Sequence, residues 1–407
     1  MLTKNSPNSS TVISTTRGDR IASVRSLIIV LKVIGLWQWP EDRTQWERTQ
    51  FLLKLQRVYG LALHLPLTFT LITLMVCAAL LSHDLEEISN VLYILLTEFA
   101  LVVKIFSIWQ HGTLAWRYLD ELVHSSKYEF RQQAELTQWM REQRLFVIVA
   151  YSYIFGSCSI VVFSCFGALY TAADVYVLPY AYYVPFEWRD PHNYWYAWSY
   201  CCISVSLTCV ANVTLDMIFC YFMLHLSMLY KLIGWRLAAL RQRRDAAGAA
   251  EVLNEMRHIF QLHESVNRLA AQCETLVSVP VLSQIILSAF ILCFSGYRLQ
   301  HLQIMENVSV FFATILFVSS MTLQIFLPCY YGNMVTVNSN ALTNDMFNSD
   351  WTAFEIPARK FMILYMELLK RPTTLKAGNF FLIGLPIFTK TMNNAYSFFA
   401  LLLKMNK

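Results

Sequence analysis

Few residues of this chain are spaced for covalent chemistry. His258 and His263 stand five apart, which does not bring two imidazoles onto one face of a helix for a paired metal site. No Gly-rich phosphate loop, Gly-x-Ser-x-Gly elbow or His-Glu-x-x-His pair occurs. The ten cysteines include no Cys-x-x-Cys pair. Most of them, Cys77, Cys158, Cys165, Cys209, Cys220, Cys293 and Cys329, lie in apolar stretches, where a free thiol behaves as a small apolar side chain. None falls between Thr171 and Asn193, the longest stretch expected outside. The chain is therefore expected to be no enzyme and to hold no metal and no cofactor.

The chemically unusual residues are charges in apolar surroundings. Glu98, Lys104, Asp216 and Lys390 each interrupt a long apolar run. An ionisable group is costly in hydrocarbon, so such a residue faces protein or water. Glu98 and Lys104 are six apart and leave one helix from different faces, so they meet only weakly. Interhelical hydrogen bonds or an inner cavity suit Glu98 and Asp216 better. Lys390 is expected to snorkel inward or to pair with an acid.

The elements that carry these residues follow from composition. Apolar types make up 56% of 407 residues and charged types 14%; a soluble domain carries about 25% charged residues. Seven apolar runs reach the roughly 20 residues that a helix needs to cross the hydrocarbon core. They are Arg57–Leu81, Ile88–Gln110, Leu145–Tyr170, Asn193–Tyr230, Leu276–Tyr297, Val308–Tyr331 and Phe380–Leu403. The fourth exceeds one crossing and is expected to run on as a helix beyond the membrane. The net charge of +5 is too small and too dispersed for nucleic-acid binding.

Lys and Arg set the orientation. The segment through Arg57 and the connections after spans two, four and six hold 26 of them. The other side holds only Arg189, Arg298, Lys404 and Lys407. This pattern predicts an all-α polytopic membrane protein with seven spans, the N-terminus inside and the C-terminus outside. A seven-helix G-protein-coupled chemoreceptor would have the opposite orientation. The chain also lacks Asp-Arg-Tyr at the inner end of span three and Asn-Pro-x-x-Tyr in span seven. A secondary transporter would show two related halves, and no such internal symmetry appears. The stretch Leu27–Trp39 is too short to span and reads as an interfacial helix. Val252, Met256, Ile259, Leu262, Val266 and Leu269 recur at spacings of three and four, which predicts an amphipathic helix packed on a neighbour inside the cell.

The C-terminal third resembles an insect odorant receptor. The stretches that carry the resemblance are Pro328-Cys329-Tyr330-Tyr331-Gly332-Asn333, Ser339, Leu342, Asp350-Trp351, Arg359-Lys360, Lys376-Ala377-Gly378-Asn379-Phe380 and Asn394-Ala395-Tyr396-Ser397-Phe398-Phe399-Ala400-Leu401-Leu402. Leu178-Pro179-Tyr180, Trp188 and Tyr194-Trp195 are similar to the family's second outer loop. The motif Asp345-Met346-Phe347 departs from the family, which more often has a small residue before the aromatic. A gustatory-type receptor channel shares the architecture and stays open as a reading.

The resemblance implies an odorant-binding subunit of an odorant-gated, non-selective cation channel. It implies a heterotetramer with a common co-receptor in the plasma membrane of an olfactory neuron's dendrite. The connection between spans two and three is short, as in the odorant-specific subunits. Residues 1–56 would be a cytoplasmic segment, 57–330 spans one to six, 331–379 an intracellular helical anchor and 380–407 a pore-lining seventh helix. The pore and gate would use Ser397, Leu401 and Met405, and assembly Asp350, Trp351 and Arg359. The small, volatile, possibly aromatic ligand would sit in the outer half of the bundle. Val91, Leu92 and Leu95 would face it from span two, and Ser159, Phe163, Phe166 and Tyr170 from span three. Trp195, Trp198, Ser199 and Cys202 of span four, with Phe312 and Leu316 of span six, would complete the walls. Tyr183, Tyr176, Tyr180, Tyr182, Phe186 and Trp188 of the outer loop could cover them.

Overall fold

The computed structural model describes residues 20–37, 50–171, 176–244, 249–301 and 308–405. Its helices are α1 (Ala22–Val33), α2 (Gln50–His64), α3 (Thr70–Leu81), α4 (Leu85–His124), α5 (Gln133–Thr171), α6 (Pro191–Arg244), α7 (Ala249–His301), α8 (Val308–Phe347), α9 (Ile356–Leu369) and α10 (Leu385–Met405). A hairpin of β1 (Lys376–Ala377) and β2 (Phe381–Leu382) precedes α10. One π turn, Leu65–Phe69, joins α2 to α3. Pro66 has no N–H to give the regular ladder, and its free carbonyl accepts the Tyr200 hydroxyl at 2.8 Å.

Among the described residues, six stretches are long and apolar enough to cross a membrane: α2 with α3, then α4, α5, α6, α7 and α8. The seventh expected span corresponds to α10. It has 21 residues and is not among these six.

α6 is the axis of the bundle. Every residue from Ala211 to Tyr230 is buried. That explains why its apolar run shows no polar stripe: a helix covered all round has no face to reserve for solvent. Its 54 residues would extend about 80 Å. The fourth span therefore does continue past any one bilayer. α7 does the same. The amphipathic stretch and the fifth span form one helix of 53 residues that runs through Pro280. Val252, Met256, Ile259, Leu262, Val266 and Leu269 are all buried, as their spacing predicts.

Two polar clusters tie the helices together. Lys104 of α4 is 1% exposed. Its Nζ lies 2.6 Å from Asp216 Oδ1 of α6 and donates to Asn212 Oδ1 at 2.7 Å. Gln324 Nε2 of α8 donates to the other Asp216 oxygen at 2.7 Å. One carboxylate thus joins three helices. Further along, the Ser23 hydroxyl of α1 donates to Gln143 Oε1 at 2.5 Å. Gln143 Nε2 donates to the Arg20 carbonyl at 2.6 Å, which fixes α1 on α5.

The region after α8 packs beneath the bundle. α9 buries Ala358, Met362, Tyr365 and Leu369 at spacings of three and four. The hairpin turn has Gly378 at φ +58° and Asn379 at φ +62°. Two consecutive left-handed residues suit a tight hairpin turn and suit Gly and Asn best. The Gly378 N–H donates to Ser278 Oγ of α7 at 2.8 Å. This hairpin corrects one expectation: the last helix starts at Leu385, not Phe380, because Phe381 and Leu382 are extended and paired with Lys376 and Ala377. The expected boundary between residues 330 and 331 also falls in mid-helix, since α8 continues to Phe347.

Candidate functional site

Consider the bundle end that carries loop 176–190. There two adjoining chambers lie among α4, α5, α6 and α8. Helical spacing selects the walls. Tyr93, Ile94, Thr97 and Glu98 share one face of α4. Tyr153, Ser157, Ile160, Ser164 and Gly167 share one face of α5. α8 offers Val310, Ala313, Thr314, Phe317 and Ser320 at the same spacing, and α6 offers Val205, Thr208, Cys209 and Asn212.

The upper chamber, about 120 Å³, is bounded by Tyr93, Phe163, Phe317, Arg298 of α7 and the loop residues Val177 to Tyr180. The deep chamber, about 60 Å³, lies among α4, α5, α6 and α8. Ile160, Tyr180 and Phe317 wall both. An open vestibule edged by Glu86, Asn90 and Arg298 leads in from the loop side. The Tyr93 and Phe317 rings meet edge to face at 5.1 Å. The Arg298 guanidinium lies 4.7 Å from the Tyr93 ring centroid, a cation–π contact at the mouth.

The loop is pinned as a roof. The Tyr194 hydroxyl donates to the Val177 carbonyl at 2.9 Å. The Tyr182 hydroxyl donates to the Ala197 carbonyl at 2.8 Å. The Tyr183 N–H donates to the Leu74 carbonyl at 3.1 Å. Burial pushes the Tyr180 phenol well above its ordinary pKa, so it enters the site as a neutral hydroxyl.

The deep chamber has a polar lining. Ser157 and Ser320 hydroxyls lie 3.1 Å apart. Glu98 Oε1 accepts from Thr208 Oγ1 at 2.7 Å. Asn212 links the chamber wall to the Lys104–Asp216 pair. Among the described residues no group of three or more His, Cys, Asp or Glu could hold a metal. The arrangement can bind a small, mostly apolar molecule with one or two polar atoms.

The residues expected from sequence divide unevenly. Phe163 lines the upper chamber, and the possible cover Tyr180 walls both. Val91 and Leu95 are buried, and Leu92 packs on the core, all away from the chamber face of α4. Phe166, Trp195, Phe312, Leu316 and Tyr183 are exposed on this chain. Ser159 turns its hydroxyl to the Phe155 carbonyl at 2.8 Å, and Ser199 to the Tyr196 carbonyl at 3.2 Å. Trp198 is half-buried beside Trp195, ring centroids 6.1 Å apart. The Cys202 thiol donates to Cys165 Sγ at 2.9 Å between α6 and α5. The side chains of Tyr170 and Met405 lie outside the described residues.

Tyr93, Ile160 and Phe317 were not picked out by sequence reasoning. On α10, Ser397 and Leu401 share an exposed face with Lys390, Asn393 and Asn394, while Ile387, Thr391 and Ala395 are buried. Beneath the bundle, Asp350 is left-handed at φ +52°, Trp351 packs on the core and Arg359 is exposed.

Residues 84–396 match the family model described as 7tm odorant receptor. The chain is 47% identical over 389 residues to odorant receptor 94a of Drosophila melanogaster, covering 95% of this chain and 98% of that one. It is 24% identical over 385 residues to odorant receptor 46a, isoform B, of the same species, with 92% and 96% covered. Among solved structures, it is similar to the insect olfactory receptor OR5 from Machilis hrabei in complex with eugenol. The TM-score is 0.80 at 15% identity, covering 96% of this chain and all of that one. OR5 in a second structure gives 0.79 at 16% identity. At that identity the likeness bears on the fold alone.

Proposed function

The chain belongs to the 7tm odorant receptor family, and on that footing we propose that it is the odorant-binding subunit of a heteromeric, odorant-gated, non-selective cation channel. It works with a common co-receptor in the plasma membrane, with its N-terminus inside and its C-terminus outside. The observation that carries this reading is the roofed pair of chambers between α4, α5, α6 and α8, walled mostly by apolar and aromatic side chains.

The uncovered face of α10 supports its role as the seventh span and the pore lining. It presents Lys390, Asn393, Ser397 and Leu401 at spacings of three and four. An apolar ring at Leu401 can block ions by dewetting, with Met405 one turn beyond. α9 supports assembly below. Ile356, Ile363, Leu364 and Leu368 are exposed, an apolar face that a neighbouring subunit would cover.

Gating follows from differential affinity. An odorant shifts the channel only by as much as it binds the open state better. Its total binding is about −0.3 to −1.5 kcal/mol per heavy atom, so the closed and open states lie near balance. α7 is the physical link. It carries Arg298 at the chamber mouth, while its Phe290 ring stacks on Phe398 of α10 with centroids 5.2 Å apart.

The test is current recording from cells that express this chain with the co-receptor. Odorants should evoke inward current. Ile160→Trp, which fills space shared by both chambers, should abolish it at unchanged surface level. Phe166→Ala should leave half-maximal concentrations within about twofold, since Phe166 is 66% exposed and meets neither chamber. A Trp at 160 without effect, beside a large loss at 166, would move the binding site elsewhere.

A further inference from the structure

Glu98 sits on the wall of the deep chamber and is 5% exposed. Its Oε1 accepts from Thr208 at 2.7 Å. Its Oε2 is fully buried and has no hydrogen-bond partner among the described residues. Most polar groups around it are occupied. Thr97 donates to the Tyr93 carbonyl at 3.0 Å, Ser157 meets Ser320, and Asn212 holds Lys104. The Tyr153 hydroxyl, on the α5 wall near Ser320, likewise has no partner of good geometry. Buried polar oxygens are almost always hydrogen-bonded, so an unpartnered one on a residue that lines a cavity calls for a partner from outside the chain.

We propose that the deep chamber reads a hydroxyl group: the ligand of this subunit is a small alcohol or phenol whose hydroxyl hydrogen-bonds to Glu98. This rests on the reading of the two chambers as the odorant site. A hydroxyl both donates and accepts. It can therefore donate a hydrogen bond to the unpartnered carboxylate oxygen of Glu98. An ether can only accept, and a hydrocarbon does neither. Size agrees. A chamber of about 60 Å³ admits the hydroxyl and its first carbons, and the chamber of about 120 Å³ next to it takes the apolar body. Ile160, Tyr180 and Phe317 flank the passage between them.

The experiment pairs compounds of one skeleton on cells expressing the full chain with the co-receptor. Suitable pairs are 1-hexanol with 1-methoxyhexane, 2-phenylethanol with its methyl ether, and benzyl alcohol with benzyl methyl ether. Alcohols should act at half-maximal concentrations at least about tenfold below their ethers, the loss expected for one unmade buried hydrogen bond. In Glu98→Leu the ratio should fall to about one; in Glu98→Gln, which still donates and accepts, it should persist. Surface biotinylation verifies delivery, and Glu98→Met replaces Glu98→Leu if the latter is retained inside the cell. Ethers equal to alcohols, no alcohol-evoked current, or a ratio unchanged in Glu98→Leu would each overturn the proposal. A resident water that satisfies Glu98 would give the first of these results. Ile160→Trp separates the two levels. If it silences every active compound while Glu98→Leu changes nothing, only the hydroxyl assignment fails. If it silences none, the chamber reading fails with it.

Discussion

Lys104→Leu should remove most of the receptor from the cell surface, and Lys104→Leu combined with Asp216→Leu should restore a large part of it. Lys104 and Asp216 are buried against each other at 2.6 Å. Removing one partner leaves a charge in a bundle core that has no water to solvate it. Such a loss costs about 3–5 kcal/mol, whereas replacing both partners with apolar side chains is often close to neutral. Asp216 keeps Gln324 in the single variant, at 2.7 Å, but an amide cannot neutralise a carboxylate. The measurement is surface biotinylation, with detergent-extracted protein run on a sizing column. Normal surface level for Lys104→Leu would show that the pair is not needed. A double variant as poor as the single would show that the cost comes from packing, not charge.

The second large effect is expected at Gly332, in α8 beside the start of the last helix. A methyl group built there would stand 2.5 Å from Ile383 Cγ2 and 2.9 Å from the Ile383 carbonyl oxygen. The side-chain contact could relax, but the backbone one cannot. The Ile383 N–H is bonded to the Leu375 carbonyl at 2.8 Å, and α10 begins two residues on. Gly332→Val must therefore push the foot of α10 away from α8. Overpacking of this kind costs about 1–3 kcal/mol. The odorant-evoked current should fall to roughly a tenth or less, a shift of about 1.4 kcal/mol or more in gating balance, while a measurable share of protein still reaches the surface. Full current from Gly332→Val would mean that the foot of α10 moves freely against α8.

Both sites show what could be read from the sequence and what could not. The apolar runs located the helices because burial in lipid acts on each segment by itself. The amphipathic period of α7 was legible for the same reason: Val252 to Leu269 name their own face. The Lys104–Asp216 pair was not legible. The two residues lie on different helices, and spacing along one chain says nothing of which helices touch. Yet each was already marked as a costly charge in an apolar run.

The chamber walls were misjudged by a related error. Large aromatics such as Phe166, Trp195 and Phe312 invite a binding role, but they are exposed on the bundle surface. Aromatic rings favour the outer levels of a membrane protein without any ligand. Space inside the bundle is opened by small residues, here Ser164, Gly167, Ala313 and Thr314, each within a turn of an aromatic that looked more promising. On α4 the misreading is one of register. The expected wall is Val91, Leu92 and Leu95, whereas Tyr93, Ile94, Thr97 and Glu98 line the cavity. Ser397 and Leu401 share one uncovered face of α10, but the hairpin of β1 and β2 delays that helix to Leu385.

The tie between α4 and α6 also has a history within each molecule. Lys104 leaves the ribosome 112 residues before Asp216. At about 5–20 residues per second, its helix waits roughly 6 to 22 seconds for its counter-charge to be made. Gln324 follows 108 residues later still. During that interval the carboxylate that Lys104 meets in the folded bundle does not yet exist. Slowing the ribosome between α4 and α6 would lengthen that interval in proportion.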